Sequence, residues 1–530
     1  MSRSSRWHTG PWLSALVLAL LASLQGCNCG STGVDTRRFA CDQDDECAPG
    51  FVCREAECQP EADPPVDEPD GGGVGSRPQL AFLGPARTLP AGGCSTLVEL
   101  ESRDASGNLF PVPSQRRVAL SGPAAAGFSF FTDPGCTTPT SEVVFSPGAV
   151  RTGFYFKGRT GGTFPLSAAA PGFSTASQNE TILPVVRTGV CTLPVGAGSV
   201  TCPISPAQLD RSKTLLLFQA SSDDSDPDSA SLNCSLSALD AFTCRRNDFD
   251  DGGEDAVRIL WQTAELASGL KVQHLQGSCG GTPLTEIHIQ PVSRLRNSFL
   301  LVSSEQDGSS QGDDDFYTAS FSTADHVDFE FSVNCQPSWH VALQVVEFSG
   351  TNVSRGLTGR MTGTQLVISN LEPVELGSTA LLFTYRVSGV ATEAICDRVL
   401  RGELTSPTSI TFSRGAGATG CEAASIDSIS WERIDFGERA RAQHVPVTMD
   451  AATSSVSLPI TAVDPTRTLV FASGQPQSGQ AGGETSYAAD GVIGASLGWH
   501  SLTSPTLLEV SRGAAEGTAK WSSTVLQLEP

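Results

Sequence analysis

At 530 residues the chain is far longer than one domain, so several separate cores are expected. Asp and Glu number 57 against 34 Lys and Arg, and the net charge of −23 argues against nucleic acid and against electrostatic attraction to anionic lipid. Beyond the first twenty-six residues no stretch is long and apolar enough to cross a bilayer as a helix.

Arg3 and Arg6 give the chain a positive start, and Trp12 to Leu24 follow as an apolar run too short to span a membrane. The small residue Gly26 then precedes Cys27. The string Leu24-Gln25-Gly26-Cys27 resembles the lipobox of bacterial lipoproteins, whose cysteine is acylated and becomes the mature N-terminus. The resemblance implies a signal peptide over 1–26, lipidation at Cys27, and membrane contact through that lipid anchor alone. An ordinary secretory signal cut nearby is the alternative. Asn28 stands where some lipoproteins carry the Asp that retains them in the inner membrane, which points to the outer one. Without residues 1–26 the net charge becomes −25. Two anchoring signals hold a protein on a membrane where one myristoyl-sized chain does so only marginally.

Sixteen cysteines in an exported chain read as disulfides. With Cys27 lipidated, fifteen remain, and Cys29 beside the anchor is left without an obvious partner. Residues 27–40 read as a tether. Over 41–58, four cysteines spaced x5, x5, x4 surround an Ala48-Pro49-Gly50 turn, with no C-x2-C pair to suggest zinc. So short a segment needs disulfides as staples. Three pairings are open, and the favoured one is Cys41–Cys53 with Cys47–Cys58. Its resemblance is to small cysteine-rich modules of secreted proteins. The later cysteines fall into local pairs: Cys94–Cys136, Cys191–Cys202, Cys234–Cys244, Cys279–Cys335 and Cys396–Cys421. Residues 59–77, rich in Pro, acid and then Gly, form a linker.

From residue 78 the texture is short alternating runs between turns. Leu97–Glu101, Arg117–Leu120, Phe128–Phe131, Glu142–Phe145 and Thr152–Phe156 read as strands. About seven such strands over 78–185 suggest an Ig-like sandwich. Arg103-Asp104-Ala105-Ser106-Gly107-Asn108, then Pro111, resembles the D-x-x-G-N-P turn of bacterial Ig-like (invasin or Big type) domains. Phe154-Tyr155-Phe156, Gly161-Gly162 and Leu166-Ser167-Ala168 resemble their closing strands. That family implies a rigid spacer or adhesion module.

The remainder is an internal repeat. One element recurs as Thr214–Phe218, Ser298–Val302, Thr379–Phe383 and Arg467–Phe471. A second recurs as Trp261–Leu266, Leu343–Phe348, Trp431–Phe436 and Trp521–Leu526. Four β-sandwich units follow, over 186–271, 272–352, 353–442 and 443–530. They resemble W-Q-V-V-E-F β repeats of phage-tail-like and bacterial surface proteins. On this alignment Trp261, Leu343, Trp431 and Trp521 occupy equivalent core sites, and binding lies in the dissimilar loops.

Little in the chain reads as chemistry. Gly308-Ser309-Ser310-Gln311-Gly312 matches G-x-S-x-G, but that motif needs a strand, a strained turn and a helix, and an all-β repeat with Asp313 to Asp315 next supplies none. The histidines His274, His288, His326, His340, His444 and His500 form no close metal motif, although His326 and His340 share a unit. Acidic loops in the first unit leave two readings open: a solvated loop, or one Ca²⁺ held by Asp224, Asp226, Asp228, Asp250 and Asp251. The overall expectation is an all-β protein of tandem β-sandwich domains after a disulfide-rich module. Its expected role is non-catalytic, lipid-anchored binding or adhesion at the cell envelope, toward a protein or glycan ligand. A passive assembly component of the envelope is the alternative, and a hydrolase built from repeat loops is a third reading.

Overall fold

The computed structural model describes residues 51–54, 57–60, 77–222, 231–247, 256–305, 313–388, 395–415, 425–476, 496–515 and 517–529. The chain falls into two compact units, Met1–Gly75 and Ser76–Pro530. In the first, Phe51–Arg54 and Glu57–Pro60 pair as an antiparallel hairpin that sets Cys53 opposite Cys58. Cys41 and Cys47 lie outside the described residues, as do Cys27, Cys29 and the signal segment.

The second is all-β: tandem sandwiches, with only short helical turns among the described residues. The first sandwich has ten strands in two five-stranded sheets, where about seven strands were expected. One sheet runs Gln79–Leu83, Val98–Arg103, Arg151–Lys157, Ser129–Phe131, Pro139–Thr140. The other runs Thr88–Pro90, Ala176–Leu183, Gly162–Ala169, Arg116–Ser121, Glu142–Phe145. Two of the extra strands, Thr88–Pro90 and Pro139–Thr140, are edge pieces too short for alternation to show in the sequence. Alternating residues Val98, Leu100, Phe154, Phe156 and Leu166 are fully buried between the sheets. Asp104 accepts hydrogen bonds from the N–H groups of Ser106 and Asn108 at 2.8 and 2.9 Å, shaping the turn in which Gly107 adopts φ 87°.

Each of the four following units has six strands in two three-stranded sheets, ordered 1-6-3 and 2-5-4. First strands are Val186–Leu193, Leu270–Ser278, Asn352–Leu357 and Ala440–Met449. Third strands are Thr214–Ser221, Ser298–Glu305, Thr379–Ser388 and Thr468–Pro476. Sixth strands are Val257–Glu265, His340–Phe348, Ser425–Asp435 and Ala519–Leu528. Disulfides Cys94–Cys136, Cys191–Cys202, Cys234–Cys244 and Cys279–Cys335 are local to their own sandwich. Cys396 is also disulfide-bonded, and Cys421 lies outside the described residues.

The strand register corrects the repeat alignment in the fourth unit. Thr214, Ser298 and Thr379 each follow a 3₁₀ turn and face Glu265, Glu347 and Asp435. In the fourth unit Thr468 follows the 3₁₀ turn and faces Gln527. Ser523 therefore matches Trp261, and Trp521 lies two residues earlier, level with Ile259, Val341 and Ile429. Alternate strand residues share a face, so Trp521 still enters the core and is buried. Glycine makes room for each ring. Gly189 lies against Trp261 and Gly356 against Trp431, on first strands, whereas Gly474 lies against Trp521 on a third strand. The second unit has Leu343 at this place and buries Trp339 instead, edge-on to Tyr317, Phe329 and Phe331.

The four 1-6-3 sheets have a second buried face. Leu215, Phe299, Ala380 and Leu469 on the third strands join one apolar cluster. Ala264, Val346, Ile434 and Leu526 on the sixth strands join it too, as do Leu266, Phe348, Phe436 and Leu528 at or just beyond their ends. Matching residues of all four units thus meet about a common axis, and the fourth unit closes on the first. The same cluster continues through Val185 and Val186 into the ten-stranded sandwich.

Candidate functional site

Two sets of equivalent polar side chains join neighbouring units. On the sixth strands, Gln344 accepts from Leu216 N–H at 2.8 Å and donates to Leu216 C=O at 2.7 Å, linking the second unit to the first. Glu432 accepts from Leu300 N–H at 2.9 Å, linking the third to the second. Gln262 accepts from Val470 N–H at 2.8 Å and donates to Thr468 C=O at 3.3 Å, linking the first back to the fourth. Leu216, Leu300 and Val470 are equivalent positions. At the fourth seam Thr524 bonds His444 Nδ1 at 3.1 Å, and His444 Nε2 reaches the Leu376 carbonyl of the third unit at 3.0 Å.

The second set comes from the third strands and meets the neighbour's fourth strand, which is Asn233–Leu236, Tyr317–Thr323, Arg401–Ser406 or Gly498–Ser504. Ser303, Thr384 and Ser473 accept from the N–H groups of Cys234, Ala319 and Gly402 at 3.2, 2.8 and 3.1 Å. Gln219 completes the circuit, accepting from His500 N–H at 2.6 Å and donating to Val470 C=O at 3.2 Å. Each bond satisfies a backbone group that burial between sheets would otherwise orphan.

Between these sets, on the axis, lies a cavity of about 310 Å³. Leu217, Leu301, Leu382 and Phe471, one from each unit, line it with apolar surface. Its walls carry Gln262, Gln344, Glu432 and Thr524, and Gln219, Ser303, Thr384 and Ser473 line the rest. Burial raises the Glu432 pKa, against the opposing pull of Arg355 and the Leu300 N–H. Arg355 donates to its other oxygen at 3.0 Å. Burial also lowers the pKa of His444, against the Leu376 bond and Glu403. Glu432 and both His444 nitrogens are thus engaged at the unit seams. The cavity combines apolar side chains with amides and hydroxyls, the composition of a ligand pocket at a domain interface.

Of the residues named from sequence as candidates for chemistry, His444 reaches the cavity and the others fall elsewhere. Asp224, Asp226, Asp228, Asp250, Asp251 and the Gly308–Gly312 string lie outside the described residues. Asp314 accepts from Gln336 at 2.9 Å. His326 does not meet His340: it packs on His288, while His340 pairs with Glu305 at 2.6 Å. His274 Nε2 bonds the Arg211 and Thr214 carbonyls at the first seam. His500 is buried, with Nδ1 2.7 Å from Ser523, and burial lowers its pKa to about 3. Among the described residues no group of three or more His, Cys, Asp or Glu is set to hold a metal, and no helix is long and apolar enough to cross a membrane.

Sequence reasoning passed over the arginines at or just beyond the ends of the fifth strands Ala241–Arg245, Ser409–Ser413 and Leu507–Arg512. Arg246, Arg414 and Arg512 are buried and donate from Nε to the carbonyls of Ala197, Gly363 and Thr453 at 2.9, 3.0 and 2.9 Å. The recurring Cys244-x-Arg246, Phe412-x-Arg414 and Val510-x-Arg512 carried that signal.

No family model matches the chain, and no curated protein matches it in sequence. Among solved structures it is similar to Salmonella alpha-2-macroglobulin reacted with methylamine, at 11% identity and a TM-score of 0.15, over 74% of this chain and 30% of that one. It is also similar to the N-terminal eight Ig domains of Down Syndrome Cell Adhesion Molecule, at 9% identity and a TM-score of 0.12, over 82% of this chain and 65% of that one. The chain spans less than two thirds of either. At these scores the fold rests on the strands themselves.

Proposed function

We propose that this is an exported, lipid-anchored, non-catalytic binding protein of the bacterial cell envelope, with the closed set of four sandwiches as its binding body. The observation that carries the reading is the axial cavity, toward which equivalent side chains of all four units converge. Its acid and its imidazole are tied into the unit seams, which favours holding a ligand over reacting with one. Leu24-Gln25-Gly26-Cys27 supports attachment through Cys27 and Asn28 the outer membrane. Disulfides in the ten-stranded sandwich and in the first three repeat units suit an oxidising compartment.

Two variants of the full chain test the two halves of this reading. Cys27→Ser is expected to move the protein into the soluble fraction and abolish acyl labelling; continued dependence on detergent refutes the anchor. Leu382→Trp is expected to fill the cavity and remove whatever glycan or protein the mature protein captures from envelope extracts. Capture unchanged by a folded Leu382→Trp protein moves binding to the loops. A second reading, a passive assembly component, is favoured by Gln262 and Gln344, whose amides serve the seams rather than the cavity. Absence of any captured partner, with the anchor intact, supports that alternative.

A further inference from the structure

We propose that His288 and His326 form a binding site for a transition-metal ion of the kind that prefers imidazole. They lie on the outer face of the second unit, where Leu284–His288 pairs with His326–Phe331. The register sets His288 directly opposite His326, and the ring centroids are 4.1 Å apart. Ile287, Val327 and Phe329 point into the core, so the alternate residues face outward. His288 is exposed, and the His326 side chain keeps 27% exposure.

The surroundings of His326 prepare one ring nitrogen for a metal. Asp325 Oδ1 lies 3.0 Å from Nδ1 and also accepts from the Thr323 hydroxyl at 2.6 Å. Thr323 Oγ1 also lies 3.0 Å from Nδ1, and since its own hydrogen goes to Asp325, both neighbours of Nδ1 are acceptors and Nδ1 carries the hydrogen. Nε2 of the neutral ring then holds a free lone pair, the carboxylate–histidine arrangement found behind metal ligands.

Two cross-strand positions away the sheet adds charge. Glu286 stands directly opposite Asp328, an arrangement of like charges that weakens a sheet without a cation. The ion pair of Arg386 goes to Glu330 instead. Nothing in the repeat demands this constellation: the matching pairs are Pro203 with Ala241 in the first unit and Pro459 with Leu507 in the fourth. Among the described residues, three protein groups do not converge on one point. Two imidazoles therefore ligate, water fills the remaining positions, and the carboxylates supply field.

The test is calorimetric titration of the metal-stripped, full-length mature protein with Ni²⁺ and Zn²⁺. Wild type is expected to bind one equivalent that His288→Gln and His326→Gln each remove, with metal-free melting temperatures unchanged. Asp325→Asn is expected to weaken it by about 10-fold or more, and His340→Gln to leave it intact. Cu²⁺ is expected to bind more tightly than either ion. Binding that survives both histidine variants, or Ca²⁺ binding as tightly at the same place, overturns the proposal.

Discussion

Gln262 and His274 show how much single side chains carry at the seams. Truncating Gln262 to Ala leaves the Val470 N–H and Thr468 C=O without partners, at an expected cost of about 1–3 kcal/mol. Chemical denaturation measures it, and Gln344→Ala at the equivalent seam is expected to cost a similar amount. His274 adds a pH dependence. Burial, opposed by the Arg211 and Thr214 carbonyls, lowers its pKa from 6.5 to about 4. The folded state therefore binds fewer protons than the unfolded one between those values. Stability present at neutral pH falls as the pH drops below about 6.5, and the loss is complete near 4. His274→Gln is expected to flatten that part of the stability–pH curve; an unchanged acid slope would refute this role. The sequence showed His274 and His444 without a motif, because they bond carbonyls of another unit, which no local spacing records.

At the scale of strands, the recurring W-Q-V-V-E-F element resolves into separate jobs. Trp261 and Trp431 fill their own sandwich, and Gln262 and Glu432 reach the neighbouring unit. Glu265 accepts from the Leu209 and Asp210 N–H groups at 2.9 and 2.7 Å, holding the turn before the third strand. Leu266 and Phe436 both join the axial apolar cluster. Removing Trp431 to Ala is expected to cost about 3–5 kcal/mol, and calorimetry is expected to show lost folded stability. A folded, equally stable variant contradicts the packing role. The all-β class and the repeat were legible because two elements kept their order and spacing. The shift in the fourth unit was hidden because a tryptophan drew the alignment to itself, while Thr524-Val525-Leu526-Gln527 held the true register. The axial face was foreshadowed by runs such as Leu215-Leu216-Leu217 and Phe299-Leu300-Leu301-Val302, unbroken apolar stretches where one-sided burial would have alternated.

Across the whole ring, the seam between the first and fourth units joins residues more than two hundred positions apart, as Gln262 and Val470 show. Arg258 stacks over Trp499 at 4.1 Å on the same seam. Placing Glu at Leu301 puts a charge on the axis rather than inside a sandwich. Leu301→Glu is therefore expected to loosen the assembly of units while each keeps its strands. Lost melting cooperativity with far-ultraviolet circular dichroism retained supports this; unaltered cooperative melting refutes an axial position.

Closure also bears on how such a gene can change. An open array of repeats tolerates duplication or loss of one copy, because each added unit stacks on the last. Here a fifth copy would have to wedge between Gln262 and the Thr468 strand, and a missing copy would strip partners from two faces at once. Recombination between the repeats is thus penalised at the level of the folded product. The copies are free to diverge in their loops while their number stays at four.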